Sequence, residues 1–225
     1  MQNRRAFIER LGTGAMAAAL PLSLGGIAEF LPGDSGSGRA ESWDLGWVKR
    51  VNGKYRAVFD VPAIDSGYGV WRATVWQHEY VEVLKARPKD CSAVLVLRAK
   101  GIALAMRQAF WDEHGLGAEN AVKHPVTEQP TDRNPALLSS ARGEQPAMFD
   151  DFALDRFIAR GGIALACDLA FAEMVGLVAK KHGLSEDAAR KAAMAMLVPG
   201  VILQPSGVFA ALHAQDVGCN YLRAS

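Results

Sequence analysis

Ala93-Val94-Leu95-Val96-Leu97 is a short, unbroken apolar run that ends at Arg98. A strand with one wet face alternates apolar and polar residues. A continuous run indicates a strand buried on both faces, as in a parallel sheet covered by helices. Gly162-Ile163-Ala164-Leu165-Ala166-Cys167 is a second run of the same kind. Lys54 to Val61 reads as another strand, stopped by Pro62, and Val201 to Gln204 and Cys219 to Leu222 read as two more.

Helical segments fill the spaces between these strands. Gly69 to Arg87 reads as a helix ending before Pro88, and Ile102 to His114 as one closed by Gly115 and Gly117. Phe149 to Ala159 reads as a short helix, and Leu169 to His182 as a well-buried one ending in Lys180, Lys181, His182 and Gly183. Ser185-Glu186-Asp187 supplies a capping hydroxyl and first-turn acids for a helix that Pro199-Gly200 ends, and Ser206 to Val217 is the last. Residues 118–149 hold Pro125, Pro130, Pro135 and Pro146 without a clear period, and read as a long loop, either functional or a surface insertion or interface arm.

This alternation, with right-handed crossovers, predicts an α/β fold: a mainly parallel sheet of about five strands with helices on both faces. Ligands bind such sheets at the carboxyl ends of the strands. The residues there are Asp60, Arg98, Cys167 and Ser206.

The beginning of the chain points to export. Arg4-Arg5-Ala6-Phe7-Ile8 resembles a twin-arginine signal, and Leu11 to Leu31 is apolar, rich in Ala and Gly and free of Lys and Arg. Pro21, Gly25, Gly26 and Glu29 interrupt that stretch, which suits a cleaved signal better than a permanent bilayer-spanning anchor. Gly38-Arg39-Ala40 fits cleavage after Ala40. The expected organisation is a signal over residues 1–40, a linker over 41–53 whose Trp43 and Trp47 pack either on the domain or on a partner, and one α/β domain over 54–225. The expected location is the periplasm, reached in the folded state through the Tat translocase.

Residues 1–40 carry four basic and three acidic residues of the chain's 25 and 24, so their removal leaves 21 of each. A formally neutral domain lacks the basic footprint that nucleic acid or an anionic membrane requires. No GxGxxG or GxxxxGK[ST] pattern occurs, so a nucleotide cofactor has no support, and the five scattered histidines do not form a metal motif.

Cys167 is the sharpest chemical candidate. It ends a strand and precedes a helix, where the positive end of the macrodipole favours thiolate, while Asp168 acts against it. The alternative is a buried, inert thiol. Cys91 and Cys219 sit at strand starts, and a five-residue strand such as 163–167 is about 17 Å long. A disulfide needs Cα atoms within about 7 Å, so Cys167 should pair with neither inside one chain. Cys91 and Cys219 could bridge each other only if their strands are neighbours. Arg98 could hold an anion or make a surface salt bridge. The turn Gln204-Pro205-Ser206-Gly207 could bind an anion through its backbone N–H groups. It lacks the GxSxG context of a hydrolase nucleophile.

Taken together, Ala93 to Arg98, Ala159-Arg160-Gly161 leading to Cys167, Leu197-Val198-Pro199-Gly200-Val201, Gln204 to Val208, Ala214-Gln215 and Gly218-Cys219-Asn220-Tyr221 resemble the DsrE/DsrF-like family, in its Tat-exported branch. The resemblance runs from about Lys54 to Tyr221. It implies a Rossmann-like three-layer sandwich assembled as a trimer or hexamer, with sulfur carried as a persulfide on the cysteine that corresponds to Cys167. Where relatives often place a histidine after the arginine of the second strand, this chain has Ala99. Where some have a second cysteine two residues before the main one, it has Leu165.

Two functions follow as expectations. One is an exported sulfur carrier or sulfurtransferase, with Cys167 as carrier and Arg98, Asp60, Ser206 and Gly207 around the bound sulfur anion. The other is a non-catalytic binding or assembly subunit of a periplasmic complex, in which the cysteine is packing and Trp43, Trp47 and the long loop meet a protein partner.

Overall fold

Strand β1 (Tyr55–Val61) is flanked by β2 (Cys91–Leu97) and β5 (Asn220–Arg223), while β3 (Ile163–Cys167) and β4 (Val201–Gln204) extend the other side, giving the order β4-β3-β2-β1-β5. All four pairings are parallel. The computed structural model describes residues 43–225, which belong to one unit, Ala40–Ser225. The twin arginines, the apolar stretch and the cleavage point lie outside the described residues. Among the described residues, no helix is long and apolar enough to cross a membrane.

The helices are α1 (Tyr68–Val83), α2 (Gln108–His114), α3 (Leu116–Glu119), α4 (Leu154–Ala159), α5 (Asp168–His182), α6 (Glu186–Ala195) and α7 (Gly207–Asp216). The path β1 to β4 steps steadily one way across the sheet, and β5 then returns to the far side of β1. Right-handed crossovers therefore put α1 and α5 on one face and α7 on the other. The α/β sandwich with a parallel sheet, expected from the apolar runs, is the observed fold.

Side-chain alternation divides the sheet between two cores. Phe59, Val61, Leu95, Leu97 and Ala166 face Val70 of α1 and Phe171, Met174 and Val178 of α5. Val58, Val94, Val96 and Leu165 face Ala210 and Ala214 of α7, together with Trp47. Every residue of β2 is buried, as its uninterrupted apolar run requires. Burying a leucine such as Leu95 contributes roughly 2 kcal/mol.

Three segments differ from the sequence expectations. The expected helix over Ile102 to His114 splits into a 3-10 segment, Ala99–Ala105, and α2. Met106 forms a bridge with Leu197, and Arg107 N–H donates to the Met196 carbonyl, so the backbone between the two is committed elsewhere. Gly101 is fixed by close approach, since a Cβ there would lie 2.1 Å from the Val61 carbonyl oxygen.

Residues 118–149 run largely over the surface, as a long loop does, but are anchored in the larger core. Val122 and Ala136 are buried in it. The fully buried Asn134 donates its amide to the Leu104 and Met106 carbonyls at 3.1 and 2.8 Å and accepts from Ala136 N–H at 2.9 Å. Sparse apolar residues hid this packing because the segment is held by hydrogen bonds to buried backbone.

The third difference is the expected linker. Gly46–Arg50 is a 3-10 turn that lies on the thinner core, with Trp47 buried and Trp43 half-buried. Trp47 thus packs on the domain itself, and Arg50 secures the strap by donating to the Gly162 carbonyl at 3.0 Å.

Candidate functional site

The sheet order produces one topological switch point, where β1 lies between β2, reached over one face, and β5, reached over the other. In parallel sheets such a point opens a crevice at the carboxyl ends of the strands. Register places Asp60 opposite Val96 on β2 and Arg223 on β5, and Val58 opposite Tyr221. Because alternate residues share a face, Asp60, Arg98 and Tyr221 all emerge on the side of α7.

They form one hydrogen-bonded cluster. Arg98 donates from Nε to Asp60 Oδ1 at 2.6 Å and from Nη2 to Oδ2 at 2.7 Å, a bidentate pair. The Tyr221 hydroxyl donates to the same Oδ2 at 2.7 Å. Asp60 is 1% exposed, and its carboxylate is thereby satisfied by three donors. The bond to Asp60 raises the Arg98 guanidinium above its ordinary range, and the same partner raises the Tyr221 phenol. At neutral pH the arginine is a cation and the tyrosine keeps its proton.

Gly207, the first residue of α7, makes room for Arg98. A Cβ at that position would sit 2.5 Å from the Arg98 Cβ and 2.6 Å from its Cδ. The pair therefore forms the floor of an open groove of about 260 Å³, walled by Val208, Ala211 and Leu212 of α7 and closed by Gln215 and Tyr221. Val208 and Leu212 remain 63% and 56% exposed. Arg223, next along this face of β5, donates from Nε to Ser225 O at 2.9 Å and does not line the groove.

The other half of the carboxyl edge is built differently. Cys167 pairs in register with Gln204 and stands one residue beyond Ala166, the partner of Leu97. It is the N-cap residue of α5, its side chain makes no capping hydrogen bond, and it is 6% exposed. Asp168 is buried and ion-paired with Arg190 of α6, whose guanidinium lies 5.6 Å from the Phe171 ring centre.

Gln204, fully buried, accepts from the Trp47 indole N–H at 3.2 Å and donates to the Asp44 carbonyl at 2.8 Å. Trp47 also meets the His213 ring of α7 edge-on at 5.5 Å. The strap therefore covers the β4 end of this edge.

Of the sequence candidates, the structure brings Asp60, Arg98 and Gly207 together. Ser206 does not line the groove, since its hydroxyl accepts from Phe209 N–H at 3.0 Å and caps α7. Cys167 stands on the neighbouring strand, outside the groove. Tyr221 and Leu212 are additions. Their only sequence signal was an aromatic on the last strand and an apolar position on the last helix, and neither points to Asp60 until the β1–β5 pairing is known.

All three cysteines are free thiols. Cys91 and Cys219 begin or precede strands separated by β1, so the mutual bridge left open by the sequence is not formed. Burial pushes the Cys219 thiol up to about 11 and raises Cys91 as well. Among the described residues, no group of three or more His, Cys, Asp or Glu could hold a metal ion. No protein-family model matches the chain, and no curated protein matches it.

Proposed function

We propose that this protein is a non-catalytic binding subunit of an exported assembly, and that it holds its ligand in the groove above Arg98, Asp60 and Tyr221. The observation that carries this reading is a satisfied bidentate ion pair on the floor of an open, apolar-walled groove at the switch point. The cluster is poorly suited to acid–base chemistry. Arg98 and Tyr221 do not change protonation near neutral pH, and the Asp60 carboxylate already accepts three hydrogen bonds. It is well suited to orienting a bound molecule, because an arginine fixed by a carboxylate presents its remaining donors in one direction. Export through the Tat pathway and assembly as a trimer or hexamer, both expected from the sequence, belong to the same proposal.

Native mass spectrometry of protein exported to the periplasm tests it. Wild type and Cys167→Ala should retain a stoichiometric ligand or partner, and Leu212→Asp should lose it. Loss with Cys167→Ala alone, or bare protein in every case, contradicts the reading.

A second reading, sulfur carriage on Cys167, is favoured by one observation: the thiol stands at a strand end and at a helix N-terminus without making a capping bond. Its 6% exposure weighs against it. It requires a sulfur adduct on Cys167 in the folded protein.

A further inference from the structure

The same groove carries information about what it binds. An isolated arginine at the mouth of a crevice selects anions, which is what the sequence suggested for Arg98. Here the charge is cancelled within the site. Asp60 engages Nε and Nη2 of Arg98, leaving a cationic guanidinium that still offers N–H donors within a pair whose net charge is zero. A ligand anion placed against Arg98 would also lie close to the Asp60 carboxylate, and like charges in a partly desolvated site repel. A neutral carbonyl or ether oxygen meets neither obstacle.

The walls add the second requirement. Val208, Ala211 and Leu212 present aliphatic surface along one side, while the half-exposed Tyr221 ring stands at the sheet edge. At about 260 Å³ the groove is near the lower end of the range for small-molecule sites, roughly 300–1,000 Å³. That is room for a flat ring system or a short hydrocarbon body and not for a folded chain.

Resting on the binding function proposed above, we infer that the groove takes an uncharged, apolar molecule with a carbonyl-type hydrogen-bond acceptor, its oxygen on Arg98 and its body against α7, and that Asp60 acts as the specificity-determining residue that rejects anions. Arg98 is the one cationic side chain among the residues lining the groove. Removing the Asp60 charge while keeping its shape should therefore convert the groove into an anion site.

Two dyes of similar size separate the possibilities: Nile red, neutral with a ring carbonyl, and anilinonaphthalene sulfonate, an anion. Fluorescence titration of the folded wild-type protein should show Nile red binding with a blue-shifted emission and the sulfonate about tenfold weaker or more. Leu212→Asp, at an exposed position that leaves the core intact, should weaken Nile red about tenfold. Asp60→Asn should strengthen the sulfonate relative to Nile red and so narrow or reverse the wild-type preference, whereas a folded variant with an unchanged preference overturns Asp60 as the residue that rejects anions. Should Asp60→Asn fail to fold, the wild-type preference together with Leu212→Asp still decides. A wild-type preference for the sulfonate overturns the ligand class while leaving the binding function standing. Nile red binding that ignores Leu212→Asp, or no binding of either dye, overturns the groove as a binding site and with it the function proposed above.

Discussion

The two halves of the carboxyl edge lie on the same sheet face, one strand apart, and were finished in opposite ways. At the β3–β4 end, Cys167 and Gln204 are covered, with Trp47 hydrogen-bonded onto Gln204 and the Asp168 charge taken by Arg190. At the β1–β5 end, Asp60 is buried beneath Arg98 and Tyr221, which satisfy its carboxylate and themselves stay open to solvent beside α7. A thiol at a strand end is therefore not always left accessible at that edge. Crossover direction decides which strand ends remain uncovered. Here α7 returns across the sheet to reach β5 and leaves the crevice beside β1.

The covered end should yield the largest effect. Trp47→Ala removes a buried indole, which costs about 4 kcal/mol, read as a lower urea midpoint. Native Cys167 should then react with a thiol reagent that leaves it untouched in wild type. If Cys167 is equally slow in the variant, the strap is not what protects it.

Arg98→Ala breaks the open end. It leaves the Asp60 carboxylate buried without its ion partner, at a cost of about 3 kcal/mol given that Arg98 is itself about a third exposed. The loss should shrink in Arg98→Ala combined with Asp60→Asn, since the second change removes the stranded charge. An undiminished loss would mean that packing rather than charge pairing holds this end together.

Cys219, a second buried thiol, gives a pH signature of its own. Burial raises the Cys219 pKa to about 11, so the folded state holds its proton where the unfolded state has lost it. That contribution is complete below about pH 8.5 and disappears as pH rises towards the folded value, a loss on the order of 3 kcal/mol. Urea midpoints measured from neutral to alkaline pH should fall in wild type and fall less in Cys219→Ala. Tyr221→Phe should cost least, about 1 kcal/mol for one hydrogen bond to a carboxylate that keeps its two bonds from Arg98. It should also remove part of the decline above about pH 10, because the raised phenol pKa acts in the same direction.

Much of this architecture is written locally. The apolar runs at Ala93–Leu97 and Ile163–Cys167 and the stop at Pro62 mark strands whose partners need not be known, and Val201 to Gln204 is the strand observed. Ser185 and Ser206 announce helix starts, and both accept the capping hydrogen bond. Asp60 and Arg98 were legible as strand-end residues, but their pairing was not, because it depends on β1 and β2 being neighbours in register. Tyr221 was further out of reach, since only the return crossover sets β5 beside β1. Trp47 looked like part of a linker because a short 3-10 turn has no periodic signature, and its hydrogen bond reaches 157 residues along the chain.

The proposed division between a binding groove and a covered thiol is tested most directly by intact-mass measurement of the folded protein after incubation with polysulfide or thiosulfate. With the groove as the binding site and Cys167 as packing, the native mass is unchanged, and an added sulfur appears only once the protein is unfolded. A sulfur adduct on the native protein that is lost in Cys167→Ala contradicts that division and makes the β3 end the site of the chemistry.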